Sequence, residues 1–406
     1  MTGDAVIGAK LRVLRETAGF SLAELATRVP YSKAALGLFE QGHRSITSEV
    51  ERMYMETCGP GDPVTVVSVL GRADVDRRSF LRRAAYSVAL TATGLAALPD
   101  VARIVGVTES SRVGAAEVEA VQRVTDSFAA LDEVRGGGFG RTAVAEFLAT
   151  DVSTLLRSQF AHESIKSEMF SAAAELAYLC GFKSHDGGLD AVAQRYYLAA
   201  LRLAQESGIP GRDAWVFRIL SLHSADVGHP DHAVPLAERA VSIARGRFGP
   251  DAIALHEAAL ARAYAETGNQ RGAREVISRI QPVIDSPDIT SELPRWIALS
   301  SPNGATRATQ TAKAFAALHD WGNAERYQHL SAQVWNPGTH PRIHALTSAE
   351  TGLIRWSLGR HEDAAKLWRS ALPVLDAVDS ERTANVVSKI RKVAPELVGS
   401  NRITGQ

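Results

Sequence analysis

Apolar residues recur at helical spacing near the start of the chain: Ile7, Leu11, Leu14 and Ala18 share one face of a predicted helix that ends at Gly19, a residue free to take the left-handed cap conformation. Ser21-Leu22-Ala23-Glu24 then forms a capping box, in which serine oxygen and glutamate carboxylate satisfy orphan amides at a helix start, and it predicts a second helix over Leu22 to Arg28. Pro30 and Tyr31 make a turn. Ser32 caps a third helix with Leu36 and Phe39 inward, and Gly42 stops it. Three short helices packed this closely predict a helix-turn-helix.

Gly59-Pro60-Gly61-Asp62-Pro63 marks the end of that unit, and residues 61–113 read as a linker. Within it Arg77-Arg78-Ser79-Phe80-Leu81-Arg82-Arg83 precedes an apolar stretch from Ala84 to Leu98. Alone this resembles a twin-arginine export signal. It follows a complete folded unit, however, and its apolar part is diluted by Ser87, Thr91, Thr93 and Gly94 and falls short of the roughly 20 residues that span a bilayer. The segment reads instead as a basic-ended helix that joins two domains, either adding phosphate contacts or docking the domains. Beyond Val113, Ala-, Leu- and Arg-rich segments without strand alternation predict helices throughout.

Those helices repeat. Ala193, Tyr197 and Ala200 set a pattern, a small residue four before a bulky one and seven before another small one, that returns in looser form as Ala233/Ala237/Ala240, Ala273/Ile277/Ile280, Ala324/Gln328/Ser331 and Ala364/Trp368/Ala371, with Gly228, Gly268 and Gly359 at the preceding turns. The anchor alanines are spaced by 40 residues, except for one interval of 51 that spans Pro282 to Pro302. The expected organisation is all-α: a helix-turn-helix at 1–60, a helical linker at 61–113, a helical cap at 114–164, a repeat array at 165–395 and a flexible tail at 396–406.

Two resemblances carry this further. Leu11-Arg12-Val13-Leu14-Arg15-Glu16, Ala18-Gly19-Phe20-Ser21-Leu22-Ala23-Glu24-Leu25-Ala26 and Phe39-Glu40-Gln41-Gly42 resemble the Cro/repressor-like xenobiotic-response-element family over about residues 6–58. The resemblance implies that the helix after Ser32 enters the major groove, with Ser32, Lys33, Ala34, Gly37 and Leu38 at the bases and Ser21, Arg12 and Arg44 near phosphates. Lys33 could donate to guanine O6 or N7 and Ala34 could touch a thymine methyl, whereas Ala34, Gly37 and Leu38 offer no hydrogen-bonding side chain. Over residues 1–60 the cations Lys10, Arg12, Arg15, Arg28, Lys33, Arg44 and Arg52 are balanced by Asp4, Glu16, Glu24, Glu40, Glu49, Glu51 and Glu56, so a monomer is expected to bind DNA weakly.

The repeat resembles the tetratricopeptide repeat, best in Ala261-x-x-Tyr264, Gly268 and Ala273, and so implies an α-solenoid with a concave groove. Inner-face positions carried over by that resemblance are Tyr178, Phe182, His185, Arg218, Asp226, Arg262, Glu266, Lys313 and Trp356, a mixture suited to a signalling peptide or small molecule. The combined layout resembles regulators of the actinobacterial type.

Composition narrows the alternatives. Lys and Arg total 45 against 45 Asp and Glu, so no overall field draws the chain to nucleic acid or membrane. The 2 cysteines, Cys58 and Cys180, make neither a disulfide framework nor a zinc spacing, and Met1 to Lys10 does not read as a secretory signal, which together point to the cytoplasm. Gly136 to Thr142 lacks the Lys-Ser/Thr of a phosphate loop and reads as an interhelical turn. His340-x-x-x-His344 contains Pro341 and no following Glu, and His223, His229, His232 and His361 read as solvated helix-end residues. No nucleophile elbow appears. The expectation is a cytoplasmic transcription regulator without catalytic site, metal or cofactor, homodimeric through its repeat domain, acting on double-stranded operator DNA and sensing a peptide or small molecule away from any membrane. The alternative is a protein-interaction scaffold whose helix-turn-helix does not bind DNA.

Overall fold

A computed structural model of the protein describes residues 7–8, 11–12, 15, 20–58, 63–76, 112–286, 293–298, 304–338, 340–378 and 380–397. The arginine-rich run, the apolar stretch after it and most of the expected tail lie outside these residues.

The N-terminal unit contains α1 (Leu22–Ala26), α2 (Lys33–Glu40) and α3 (Ser48–Cys58). Apolar residues four apart on α3, namely Val50, Tyr54 and Cys58, meet Leu11, Leu25, Leu36, Phe39 and Ile46 in one small core. The capping box at Ser21 forms, and α1 ends at Ala26, two residues before the expected Arg28. Next comes α4 (Pro63–Asp76), which the sequence places in the linker. Its Val64, Val66 and Val67 are buried in the same core as Val144, Leu148 and Tyr196, so α4 belongs to the cap of the second domain.

The cap continues through β1 (Arg112–Val113), α5 (Ala115–Arg135), α6 (Arg141–Phe147), a π-helical turn at Leu148–Val152, α7 (Ser153–Arg157) and β2 (Gln159–Phe160). The two strands pair in parallel over two residues and are the sole sheet among the described residues. Five antiparallel helix pairs follow: α8 (Glu163–Asp186) with α9 (Asp190–Glu206), α10 (Arg212–Asp226) with α11 (Pro230–Arg245), α12 (Pro250–Glu266) with α13 (Gln270–Ile284), α15 (Ala305–Ala317) with α16 (Trp321–Val334), and α17 (Pro341–Ser357) with α18 (His361–Asp376). The short α14 (Arg295–Ala298) lies between the third and fourth pairs, and α19 (Glu381–Val393) ends the fold. Helix α13 runs through Pro282 to Ile284, so the break in the repeat begins after that proline.

Each anchor alanine is the fourth residue of the second helix of its pair, and all fifteen positions of the repeat pattern are buried. Small side chains at these sites let the paired backbones approach, and the bulky ones lock each pair to the next. The turn residue five before the anchor takes positive φ in every pair: Gly188, Gly228, Gly268 and Gly359, with φ from 73° to 83°, and in the fourth pair His319 at 58°. His319 is the one non-glycine residue with positive φ among those described, held there because the repeat demands that turn. Replacing His319 by glycine is expected to raise stability by roughly 0.5–1 kcal/mol in urea unfolding. A fall would mean that the edge contact of His319 with Trp321 outweighs the strain.

The array closes on itself. In its last part α17 packs on α5 and α19 packs on α8, so the fifth pair returns to the cap and the helix after it to the first pair. Behind the ring, His256 is fully buried; one ring nitrogen donates to the Ala252 carbonyl at 2.7 Å, and the other has no hydrogen-bond partner. Burial, reinforced by the Arg218 guanidinium, pulls its pKa down to about 3. In the unfolded chain the group titrates near its ordinary value, so its contribution to stability is full above about pH 6.5 and is lost as pH falls toward 3. Replacing His256 by leucine is expected to remove much of the acid sensitivity in that window, read as a flatter plot of urea midpoint against pH; an unchanged slope would assign the sensitivity to other groups.

Candidate functional site

The recognition helix of a helix-turn-helix must present one face and have the other held rigid. On α2, Ser32 caps the helix by accepting from the Ala35 amide at 3.2 Å. Leu36 and Phe39 are buried while Lys33, Ala34 and Leu38 are exposed, so the sequence-derived readers share the outer face. Gly37 is half-buried, and a Cβ there would stand at ordinary van der Waals distance from Leu22 on α1. Ser21, Arg12 and Arg44 are exposed. The Ser21 hydroxyl accepts from the Glu24 amide, and the Arg44 guanidinium lies 5.0 Å from the centre of the Phe39 ring.

What fixes α2 is a buried brace at its far end. Arg15 grips Glu40, the last residue of the helix, with Nε to Oε1 at 2.6 Å and Nη2 to Oε2 at 2.7 Å, and donates to the Phe20 carbonyl at 2.7 Å. Tyr54 donates to Glu40 Oε1 at 3.1 Å. A bidentate arginine–carboxylate pair sets angle as well as distance, so the outer face of α2 is held by Arg15 and by Tyr54 of α3 together. Beside it, burial pushes the Tyr54 phenol and the Cys58 thiol above their ordinary values, the thiol to about 11, so both are neutral at physiological pH.

The second site is the space inside the ring, a chamber of about 210 Å³. Four first helices each supply a stripe at i, i+4 and i+7: Tyr178, Phe182 and His185 on α8; Ile219, His223 and Asp226 on α10; Thr306, Gln310 and Lys313 on α15; and Ile343, Thr347 and Glu350 on α17. Arg218, Tyr197, Trp335 and Arg382 complete the wall relevant to binding. Of the nine positions expected from sequence, Tyr178, Phe182, His185, Arg218, Asp226 and Lys313 therefore line one space. Arg262 and Glu266 stand behind it: Arg262 donates to Asp226 Oδ1 at 2.7 Å, Glu266 Oε1 at 2.7 Å and Gln310 Oε1 at 3.1 Å. Trp356 lies elsewhere, stacked on His361 at 4.0 Å and packed against Trp368.

Desolvation opposes the charge on Asp226, yet Arg262 and then Lys313 hold its carboxyl well below the ordinary range. Desolvation also lowers the pKa of Lys313, against the pull of Asp226. His223, expected to be solvated, is buried beside the His185 ring, and burial lowers its pKa; His229, His232 and His361 are exposed as expected. His185, Asp190 and His223 bring one ligand atom each within 4.8 Å of one another, the one set among the described residues with metal-ligand chemistry. The 2.6 Å contact of His185 Nδ1 with Asp190 already satisfies that pair without an ion.

A buried ionic latch closes the ring. Arg342 of α17 reaches Asp132 of α5 at 2.8 Å and Asp186 of α8 at 3.0 Å, and Lys183 reaches Asp132 at 3.3 Å. All four side chains are at most 3% exposed. Ser380 donates to Asp186 at 2.9 Å, and so does the Gly137 amide, at 2.7 Å. A Cβ at Gly137 would stand 2.5 Å from that of Asp186, so the glycine-rich turn exists to bring a backbone amide onto a carboxylate. A second cluster anchors the insertion: Glu175 is bonded by Arg212 at 2.9 Å and by Arg295 of α14, and Arg295 also reaches Asp126 at 2.6 Å. Arg212 lies 4.8 Å from each of the Trp215 and Trp296 rings, so the residues that lengthen the repeat strap it to α5 and α8.

Among the described residues no helix is long and apolar enough to cross a membrane. No curated protein matches the chain. Residues 6–62 match a family model described as a helix-turn-helix domain, which agrees with the exposed α2 and its brace: the chain carries an N-terminal helix-turn-helix of the DNA-binding regulator kind, followed by an α-solenoid.

Proposed function

We propose that this protein is a homodimeric transcription regulator whose tetratricopeptide-like array senses a peptide or small molecule inside its chamber. The observation that carries the DNA half is the braced recognition helix: Lys33, Ala34 and Leu38 face outward on a helix whose far end is clamped by Arg15 and Tyr54. Two half-sites supply the affinity that one neutral domain lacks, and half-site spacing then reports array geometry. A ligand that prefers one curvature of the ring shifts the spacing of the two recognition helices and so changes DNA affinity from a distance.

The test is sedimentation of the full chain with and without operator DNA, combined with hydroxyl-radical footprinting. A dimer that protects two half-sites one helical turn apart, or a multiple of it, supports the reading. A monomer with one protected site, or a dimer with none, contradicts it. The neutral charge of residues 1–60 and the exposed Leu38, at 43%, favour the rival reading of a scaffold whose helix-turn-helix contacts protein. A stoichiometric protein partner bound through α2 with no footprint would support that reading.

A further inference from the structure

Size limits what the chamber can hold. At about 210 Å³ it lies below the roughly 300–1,000 Å³ of sites for drug-sized ligands, and an extended peptide, advancing about 3.3 Å per residue, soon outruns it. It accommodates one ring and a short arm.

Charge limits it further. Four carboxylates line the chamber, and three are already held by cations: Asp132 by Arg342 and Lys183, Glu175 by Arg212 and Arg295, and Asp226 by Arg262. The fourth, Glu350, accepts from the Gln328 amide at 3.0 Å. Two further cations that line the chamber are less firmly matched. Lys313 approaches Asp226 at 3.7 Å, longer than the 2.7 Å bond of the same oxygen to Arg262, and Asp226 and Glu350 both favour its charge. Arg382 of α19 makes no hydrogen bond or ion pair among the described residues, and it is close enough to Lys313 to disfavour the lysine's charge. Two cations that line one chamber and repel each other define a position where an anion is stabilised by both. The same chamber is lined by an aromatic wall in which Tyr178 lies 6.1 Å from Tyr197 and 6.2 Å from Phe182, ring centre to ring centre. Such a wall accepts a further ring by stacking or edge contact.

We propose that the chamber binds a small aromatic molecule bearing one carboxylate or phosphate, its ring against Tyr178, Phe182 and Tyr197 and its anion between Lys313 and Arg382. This rests on the reading of the array as a sensor and chooses a small anion over a peptide as its signal. It assigns Arg382, which no repeat register picks out, as an anion-binding residue.

The probes are 4-hydroxyphenylacetate and phenyl phosphate, compared with neutral 4-hydroxyphenylacetamide and cationic tyramine, titrated calorimetrically into the full chain. One or both anions are expected to bind one per chain, with the amide and the amine at least about tenfold weaker; which anion binds distinguishes a carboxylate signal from a phosphate one. Arg382→Gln is expected to weaken the anion by about tenfold or more while leaving the amide unchanged, and Lys313→Gln serves the same purpose if the first variant does not fold. Equal binding of anion and amide, no binding of either anion at millimolar concentration, or variants without effect would overturn the proposal. DNA binding is measured on the same samples. Failure of the probes with operator binding intact removes the anion and leaves the regulator; a bound anion that leaves DNA affinity untouched keeps the site and removes the sensing.

Discussion

Replacing Arg342 by alanine is expected to lower the stability of the solenoid by about 3–5 kcal/mol, the scale of leaving a buried charge without its partner. The guanidinium is 1% exposed and joins two aspartates that are themselves at most 3% exposed, with Lys183 the other cation of the cluster among the described residues. Its removal leaves two carboxylates to share one ammonium in a place water does not reach. The loss is not a property of the pair alone, since replacing partners together by neutral groups of similar size is far less damaging. Arg342→Met combined with Asp186→Asn is therefore expected to recover a good part of it. Urea unfolding of the single and double variants checks both statements. A loss below about 1 kcal/mol for Arg342→Ala would mean that the ring does not close through this latch.

The second large effect is on DNA. Lys33→Glu is expected to reduce specific binding by at least about a hundredfold, because one recognition contact carries about 1–3 kcal/mol and a dimer loses it twice. The side chain is exposed on the first turn of α2, so the thermal unfolding of the variant should match that of the parent. Lys33→Ala should fall between the two. Unchanged affinity in a folded Lys33→Glu protein would show that α2 does not enter the groove.

Local chemistry was the most legible part of the sequence. A capping serine, an inward Leu36 and Phe39 and a terminal glycine are all written within a few residues of the helix they govern, and α2 forms where they place it. The repeat was legible for a related reason: each anchor alanine and its turn residue sit in one hairpin, and even the conformation of His319 follows from its place in the pattern. What could not be read is what depends on closure. Arg342 meets Asp132 from 210 residues away, and nothing local to either marks the other as its partner.

Register explains why Trp356 does not line the chamber. His185 and Trp356 both stand eight residues before their anchor alanines, so a fixed repeat register treats them alike. In the ring, the lining stripe ends at His185 and Asp226 in the first two pairs but at Lys313 and Glu350, about one and two turns earlier in the helix, in the fourth and fifth. The stripe slides because successive pairs rotate around the chamber, and Trp356 is left packing against the outer Trp368. The assignment of α4 to the linker has a simpler cause. The Gly59 to Pro63 punctuation is real, but it marks the end of the first unit and not the start of the second, whose first buried valines follow at once.

The most direct test of DNA-binding regulation is the affinity of the purified full chain for the DNA upstream of its own gene and for a scrambled duplex of the same composition, at 50 and about 200 mM salt. The expected result is a preference for the native fragment that persists at the higher salt, since base contacts survive the screening that removes phosphate attraction. Equal affinity for the two duplexes, vanishing together as salt rises, or no binding by a folded protein with and without the chamber probes, would contradict it.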